Sequence, residues 1–160
     1  MLNTNQLVGF GVGGAPSHLH WRIIWTEAAT PGYAGADRAE CGELLMYSVS
    51  GGSNLCTGGT PLVSSTLDPT NYPASEAFNG VTGTYGDYWA SNNPATGEYI
   101  GYTFATPVEV REFVFWPSIN FYKSRPNGFA LEHSDDGATW MRAKAWTGLS
   151  WSNSPQTFSI

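Results

Sequence analysis

Between Ala77 and Trp140 the chain is cut into short apolar runs, each closed by Gly, Pro, Asn or Asp. That punctuation leaves no room for long helices and reads as strands between turns. The runs are Ala77-Phe78-Asn79-Gly80 with Tyr88-Trp89-Ala90-Ser91, then Tyr99–Phe104, Val108–Phe115 and Phe129–Trp140. In the second, Ile100, Tyr102 and Phe104 fall on one face, the period of two of a strand. Across Val108–Trp116 the phase slips: Val108 and Val110 share one face, Phe113 and Phe115 the other. A bulge or bend near Arg111-Glu112 would restore a common core face. Phe129, Leu131 and His133 alternate with Ala130, Glu132 and Ser134. Asp136-Gly137 then predicts a tight hairpin into a strand over 139–145, because Asp-Gly supplies the positive φ angles such a turn needs.

The rest of the chain extends the pattern. Leu19–Thr26 reads as a central strand and Glu43–Val49 as another, turned by Gly51-Gly52-Ser53-Asn54. Residues 57–73 read as ordered loop with a short edge strand, Ala74–Phe78 as a single helical turn, and Gln156–Ile160 as a last strand paired with 139–145. Only 12% of residues are charged while 14% are aromatic, a balance that suits strands better than helices. The expected fold is all-β: one jelly-roll-like sandwich of antiparallel strands over 18–160. A glycine-rich N-terminal arm, 1–17, precedes it. At 160 residues the chain suits one domain with a real core.

Several function classes fall away. Seven Lys and Arg against thirteen Asp and Glu leave a net charge of −6, against nucleic acid, which calls for a basic patch. No apolar run approaches the length of a membrane helix, so no membrane insertion is expected. Gly9–Gly14 matches G-x-G-x-x-G in letters only, since Pro16 and a strand follow where a dinucleotide loop opens a helix. No G-x-S-x-G elbow is present, Asp135 and Asp136 are adjacent and point apart, and an enzyme is not expected. His18 and His20, two apart on one strand face, have no third ligand nearby and read as edge or core histidines. Cys41 and Cys56 flank a turn at unequal distances; they read as unpaired thiols, with pairing the alternative.

In order and spacing, the runs from Ala77 to Trp140 resemble the discoidin, or coagulation-factor C-type, family of galactose-binding-like sandwiches. His20–Ile24 is similar to that family's first strand. Glu43-Leu44 through Gly51–Leu55, with Gly58-Gly59-Thr60, resembles the variant found in bacteriophage virion and tail-associated proteins. The resemblance places Trp89 and Trp140 in the core. It implies a structural calcium in the loop between the Ala77–Gly80 motif and Trp89. There Asn79 stands where the family has an acid, and Asp87 could compensate. A loop closed by hydrogen bonds without metal is the competing expectation, since an amide oxygen brings no charge to a calcium site.

It also implies ligand binding by loops at one end of the sandwich, the usual place for recognition on a rigid β scaffold. The 117–127 loop offers Phe121, Tyr122, Lys123 and Arg125; the 26–38 loop offers Tyr33. Aromatic rings stack on sugar C–H groups and the cations bond hydroxyls. The alternative is that these side chains are scaffold. The expected function is a non-catalytic virion surface or tail-associated module that binds host-cell glycans. It would be assembled in the host cytoplasm, with Leu2, Leu7, Val8 and Phe10 of the arm packing on other virion proteins or in a homo-oligomer. Its rivals are a purely structural decoration or cement protein, and a secreted, extracellular carbohydrate-binding module.

Overall fold

The computed structural model describes residues 16–28, 38–119 and 125–160. Residues 1–15 of the expected N-terminal arm and the central parts of the 26–38 and 117–127 loops lie outside them. The described strands are β1 (His18–Ala28), β2 (Arg38–Cys41), β3 (Glu43–Tyr47), β4 (Thr60–Val63), β5 (Trp89–Pro94), β6 (Tyr99–Val108), β7 (Glu112–Trp116), β8 (Pro126–Ser134), β9 (Met141–Trp146) and β10 (Gln156–Ser159). One short 3-10 helix, Ala74–Phe78, sits between β4 and β5. Strand order is β4-β6-β1-β8-β9 in a five-stranded sheet, β10-β7-β3 in a second, and β2-β5 in a two-stranded ribbon. The strand pairs are antiparallel. The all-β sandwich expected from the alternating runs is the fold. No helix among the described residues is long and apolar enough to cross a membrane.

The core follows from register. Ile23 of β1 lies opposite both Ile100 of β6 and Leu131 of β8, and Trp25 lies opposite Phe129. Leu44 and Met46 of β3 face Phe115 and Phe113 of β7, and Phe158 of β10 faces Phe113. These side chains, with Trp89, are buried between the two main sheets. Trp25 meets Trp89 and Phe115 at ring-centroid distances of 6.1 and 5.8 Å. Offset and edge contacts of this kind add to the area such rings bury. Opposite Arg22, a Cβ on Gly101 would sit 2.1 Å from the Trp21 carbonyl oxygen, so only glycine lets β1 and β6 close there.

Five local expectations are corrected. Gln156–Ser159 does not pair with the 139–145 strand: β10 pairs with β7 in the second sheet, while β9 pairs with β8 in the five-stranded one. Val108–Trp116 is not one bulged strand: β6 ends at Val108 in the five-stranded sheet, and β7 starts at Glu112 in the opposite one. The phase slip marks a crossing between layers. Asp136-Gly137 does not make a two-residue hairpin; six residues, 135–140, join β8 to β9. Asp136 Oδ1 accepts the amides of Ala138 and Thr139 at 2.8 and 2.7 Å and the Ser134 hydroxyl at 2.9 Å, which organises the wider turn. Those bonds hold its carboxyl far below the usual carboxylate range.

Trp140 is not core. It lies half-buried on the outer face of the five-stranded sheet, its ring 3.8 Å from the Arg22 guanidinium. Nor do His18 and His20 share an environment, because the register slips between them. His18 stacks on His133 at 3.7 Å, while His20 bonds Thr103 Oγ1 at 2.9 Å and lies by Trp140. β2, which pairs with β5, is too short to show a period in the sequence. Cys41 and Cys56 are free and buried, and burial pushes both thiols well above their ordinary range.

Candidate functional site

At one end of the sandwich the roots of the two candidate loops lie together. Ala28, last in β1, pairs with Pro126, first in β8, and Trp116, last in β7, pairs with Glu43, first in β3. The 26–38 and 117–127 loops therefore leave the sheets side by side. Tyr33, Phe121, Tyr122 and Lys123 lie outside the described residues. Arg125 is described, and it is buried. One Nη donates to the Ser118 carbonyl at 3.3 Å and to Asn153 Oδ1 at 2.5 Å, whereas Nε is buried with no hydrogen-bond partner. Burial lowers its pKa, and the nearby Glu40 charge opposes that. The exposed side chain expected for a glycan contact is not what is seen at Arg125, whose bonds anchor the base of the loop. Beside it, the Trp151 indole donates to the Pro126 carbonyl at 2.6 Å, and Asn127 bonds Glu27 at 3.2 Å.

The Asn79 loop adjoins this end through Glu43. Asn79 Nδ2 donates to Glu76 Oε2 at 2.7 Å and to Asp87 Oδ1 at 2.9 Å, and its Oδ1 accepts the Val81 amide at 2.7 Å. Glu43, almost fully buried, accepts the Gly80 amide at 3.2 Å. Burial pushes Glu43 up to about 7, with the Asp87 charge adding to the rise and the Gly80 and Asn79 amides opposing it. Glu76 is raised chiefly by its bond to Asp87. A structural calcium takes hard oxygen donors in number. Glu43, Glu76, Asp87 and the buried, unpartnered Asp87 Oδ2 are of that kind. Their arrangement does not fit an ion: the amide of Asn79 presents N–H, not oxygen, to the carboxylates. Among the described residues no group of three or more His, Cys, Asp or Glu is placed to hold a metal.

The opposite end carries a feature that sequence reading missed. His18, His133, Ser134, Asp135, Asp136, Thr139 and Met141 line a cleft of about 210 Å³. His18 Nδ1 lies 3.1 Å from both Asp135 oxygens. That contact holds the Asp135 carboxyl below its ordinary range, while burial and the His18 ring lower His133. The pair lacks a nucleophile, since Ser134 Oγ donates to Asp136 and accepts the Gly137 amide. Residue spacing could not reveal the cleft, because His18 and Asp135 stand 117 positions apart.

On the outer sheet face, Arg22 makes two bonds to Glu132 Oε2, from Nε at 3.0 Å and Nη at 2.8 Å. Its guanidinium lies between Tyr99 and Trp140, at 4.3 and 3.8 Å from the ring centres. Nε and one Nη are thus spent on Glu132 within the protein.

A comparison with protein-family models matches residues 62–160 to the F5/8 type C domain. The match begins within β4 and runs to the end of the chain, yet β1, which precedes it, is central in the same sheet between β6 and β8. No curated protein and no solved structure matches the chain.

Proposed function

The chain belongs to the F5/8 type C domain family, and from that membership we propose that it is a non-catalytic module that binds glycan at the Ala28–Pro126 end of the sandwich. Domains of this family are in general binding modules without catalysis, with carbohydrates among their ligands. The observation that carries the reading is the pairing of Ala28 with Pro126. It sets the roots of two loops side by side, and between them those loops hold three aromatic rings and a lysine, Tyr33, Phe121, Tyr122 and Lys123. Rigid rings and multi-donor cations are the residue types that most often carry binding energy. The buried, bonded Arg125 supports this as the loop's anchor.

The finer reading, a virion surface or tail-associated module on a bacteriophage, rests on the stretches Glu43–Leu55 and Gly58–Thr60 alone. In that reading the apolar residues of the 1–17 arm contact other virion proteins. A glycan array probed with the purified protein tests the binding proposal. A hit that Tyr122→Ala or Lys123→Ala weakens tenfold or more, with unchanged melting, supports it; a shared loss with Tyr33→Ala extends the site over both loops. A blank array, or a hit that none of these variants alters, overturns the assignment and shifts weight to a structural role in assembly.

A further inference from the structure

Asn79-Gly80 is one of two Asn-Gly pairs in the chain, and the two sit in opposite circumstances. In an Asn-Gly pair the glycine nitrogen can attack the asparagine side-chain carbon, because no Cβ on the following residue obstructs the approach. At Asn79 several groups that the reaction needs stand beside the amide. Both residues are exposed, and Gly80 holds φ +79° in a turn. The Gly80 N–H, whose nitrogen is the nucleophile, already points at the Glu43 carboxylate, at 3.2 and 3.3 Å from its two oxygens. The departing Nδ2 donates to Glu76 and Asp87.

We infer that Asn79 is a self-modification site, where Glu43, Gly80 and the Glu76–Asp87 pair promote deamidation within the folded protein. Gly80 N bonds to Asn79 Cγ and its proton passes to Glu43. The Cγ–Nδ2 bond breaks and the nitrogen leaves as ammonia, taking its further proton from water. Water then opens the cyclic imide at either carbonyl, giving aspartate or isoaspartate. Asn79 ψ, at −6°, must rotate to bring the nitrogen over Cγ, which an exposed turn permits. The product places a new carboxylate beside Glu43, Glu76 and Asp87. It also removes the N–H donor that bridges the last two, so the reaction loosens the loop that the amide now closes.

Asn127-Gly128 is the internal control. It lies in β8, with Gly128 paired to Glu27 and the Asn127 carbonyl bonded to the Leu149 amide at 2.9 Å. A Cβ at Gly128 would find Thr26 Oγ1 at 3.0 Å and the Trp146 carbonyl oxygen at 3.1 Å. That peptide cannot swing without parting the strands.

The test is a time course of the full chain at near-neutral pH, native and in denaturant, read by peptide mapping for the mass gain of amide-to-acid conversion. In the native chain Asn79 is expected to convert at least as fast as in the denatured chain, while Asn127 converts only in denaturant. Glu43→Gln should slow native conversion several-fold and leave the denatured rate unchanged; Glu76→Gln is the second variant should Glu43→Gln not fold. Asn79 staying intact in the native chain, or both Asn-Gly pairs converting equally there, overturns the inference. So does a folded Glu43→Gln protein that converts at the parental rate.

Discussion

Replacing Arg22 by Met is expected to destabilise the protein by about 3 kcal/mol, the low end of the cost of removing one partner from a buried ion pair. The side chains of Arg22 and Glu132 are only 12% and 11% exposed. Without Arg22, Glu132 keeps one cation, Arg142, at 3.5 Å and itself 55% exposed. That distant, solvated partner recovers little, because exposed pairs contribute about 1 kcal/mol or less. Loss of the two ring contacts adds about 0.5–1 kcal/mol each, offset in part because Met still packs between Tyr99 and Trp140. If the cost is that of a stranded carboxylate, it disappears with the carboxylate. Arg22→Met combined with Glu132→Leu should therefore be more stable than Arg22→Met alone by about 2 kcal/mol. Urea unfolding followed by tryptophan fluorescence measures both, provided the slope stays constant across variants. A cost below about 1 kcal/mol for Arg22→Met would mean the pair is solvated. A double variant no better than the single one would refute the stranded-charge account.

Trp89→Ala should cost about 3–5 kcal/mol, since the ring is wholly buried, and Trp140→Ala only about 1–2 kcal/mol on the outer face; the reverse order in chemical denaturation would misplace both. Glu43, raised from its ordinary 4.5 to about 7, folds preferentially protonated. Its contribution is full below pH 4.5 and is lost as pH rises through about 7, at most about 3 kcal/mol. Glu76, also raised, acts in the same direction, while the lowered His133 acts in the opposite one. The difference between the parent and Glu43→Gln isolates the term, and parallel stability–pH curves for the two would refute it. Chelator should leave the melting temperature unchanged, since the Asn79 amide already bridges Glu76 and Asp87. A drop would reveal an ion that stabilises the native state by mass action.

The alternation of Ile100, Tyr102 and Phe104, and of Phe129 and Leu131, determined the fold by itself, because one face of each strand must leave water and a period of two says which. The central position of β1 was legible from its apolar run, and the core place of Trp89 from the family resemblance alone. What alternation cannot carry is which layer a strand joins, so the slip after Val108 read as a bulge when it is a passage between sheets. Nor does it say which residues meet at the ends. The register slip that turns His18 onto His133, and the closing of Asp135 on His18, depend on strands paired across more than a hundred residues. Arg125 looked like a surface cation because it neighbours loop residues; its burial comes from Ser118 and Asn153, which only the folded chain brings to it. For Trp140 the same resemblance implies a core position, which the fold does not give it. Its place was decided by Arg22, a charge that the sheet holds on its outer face and that needed a ring to cover it.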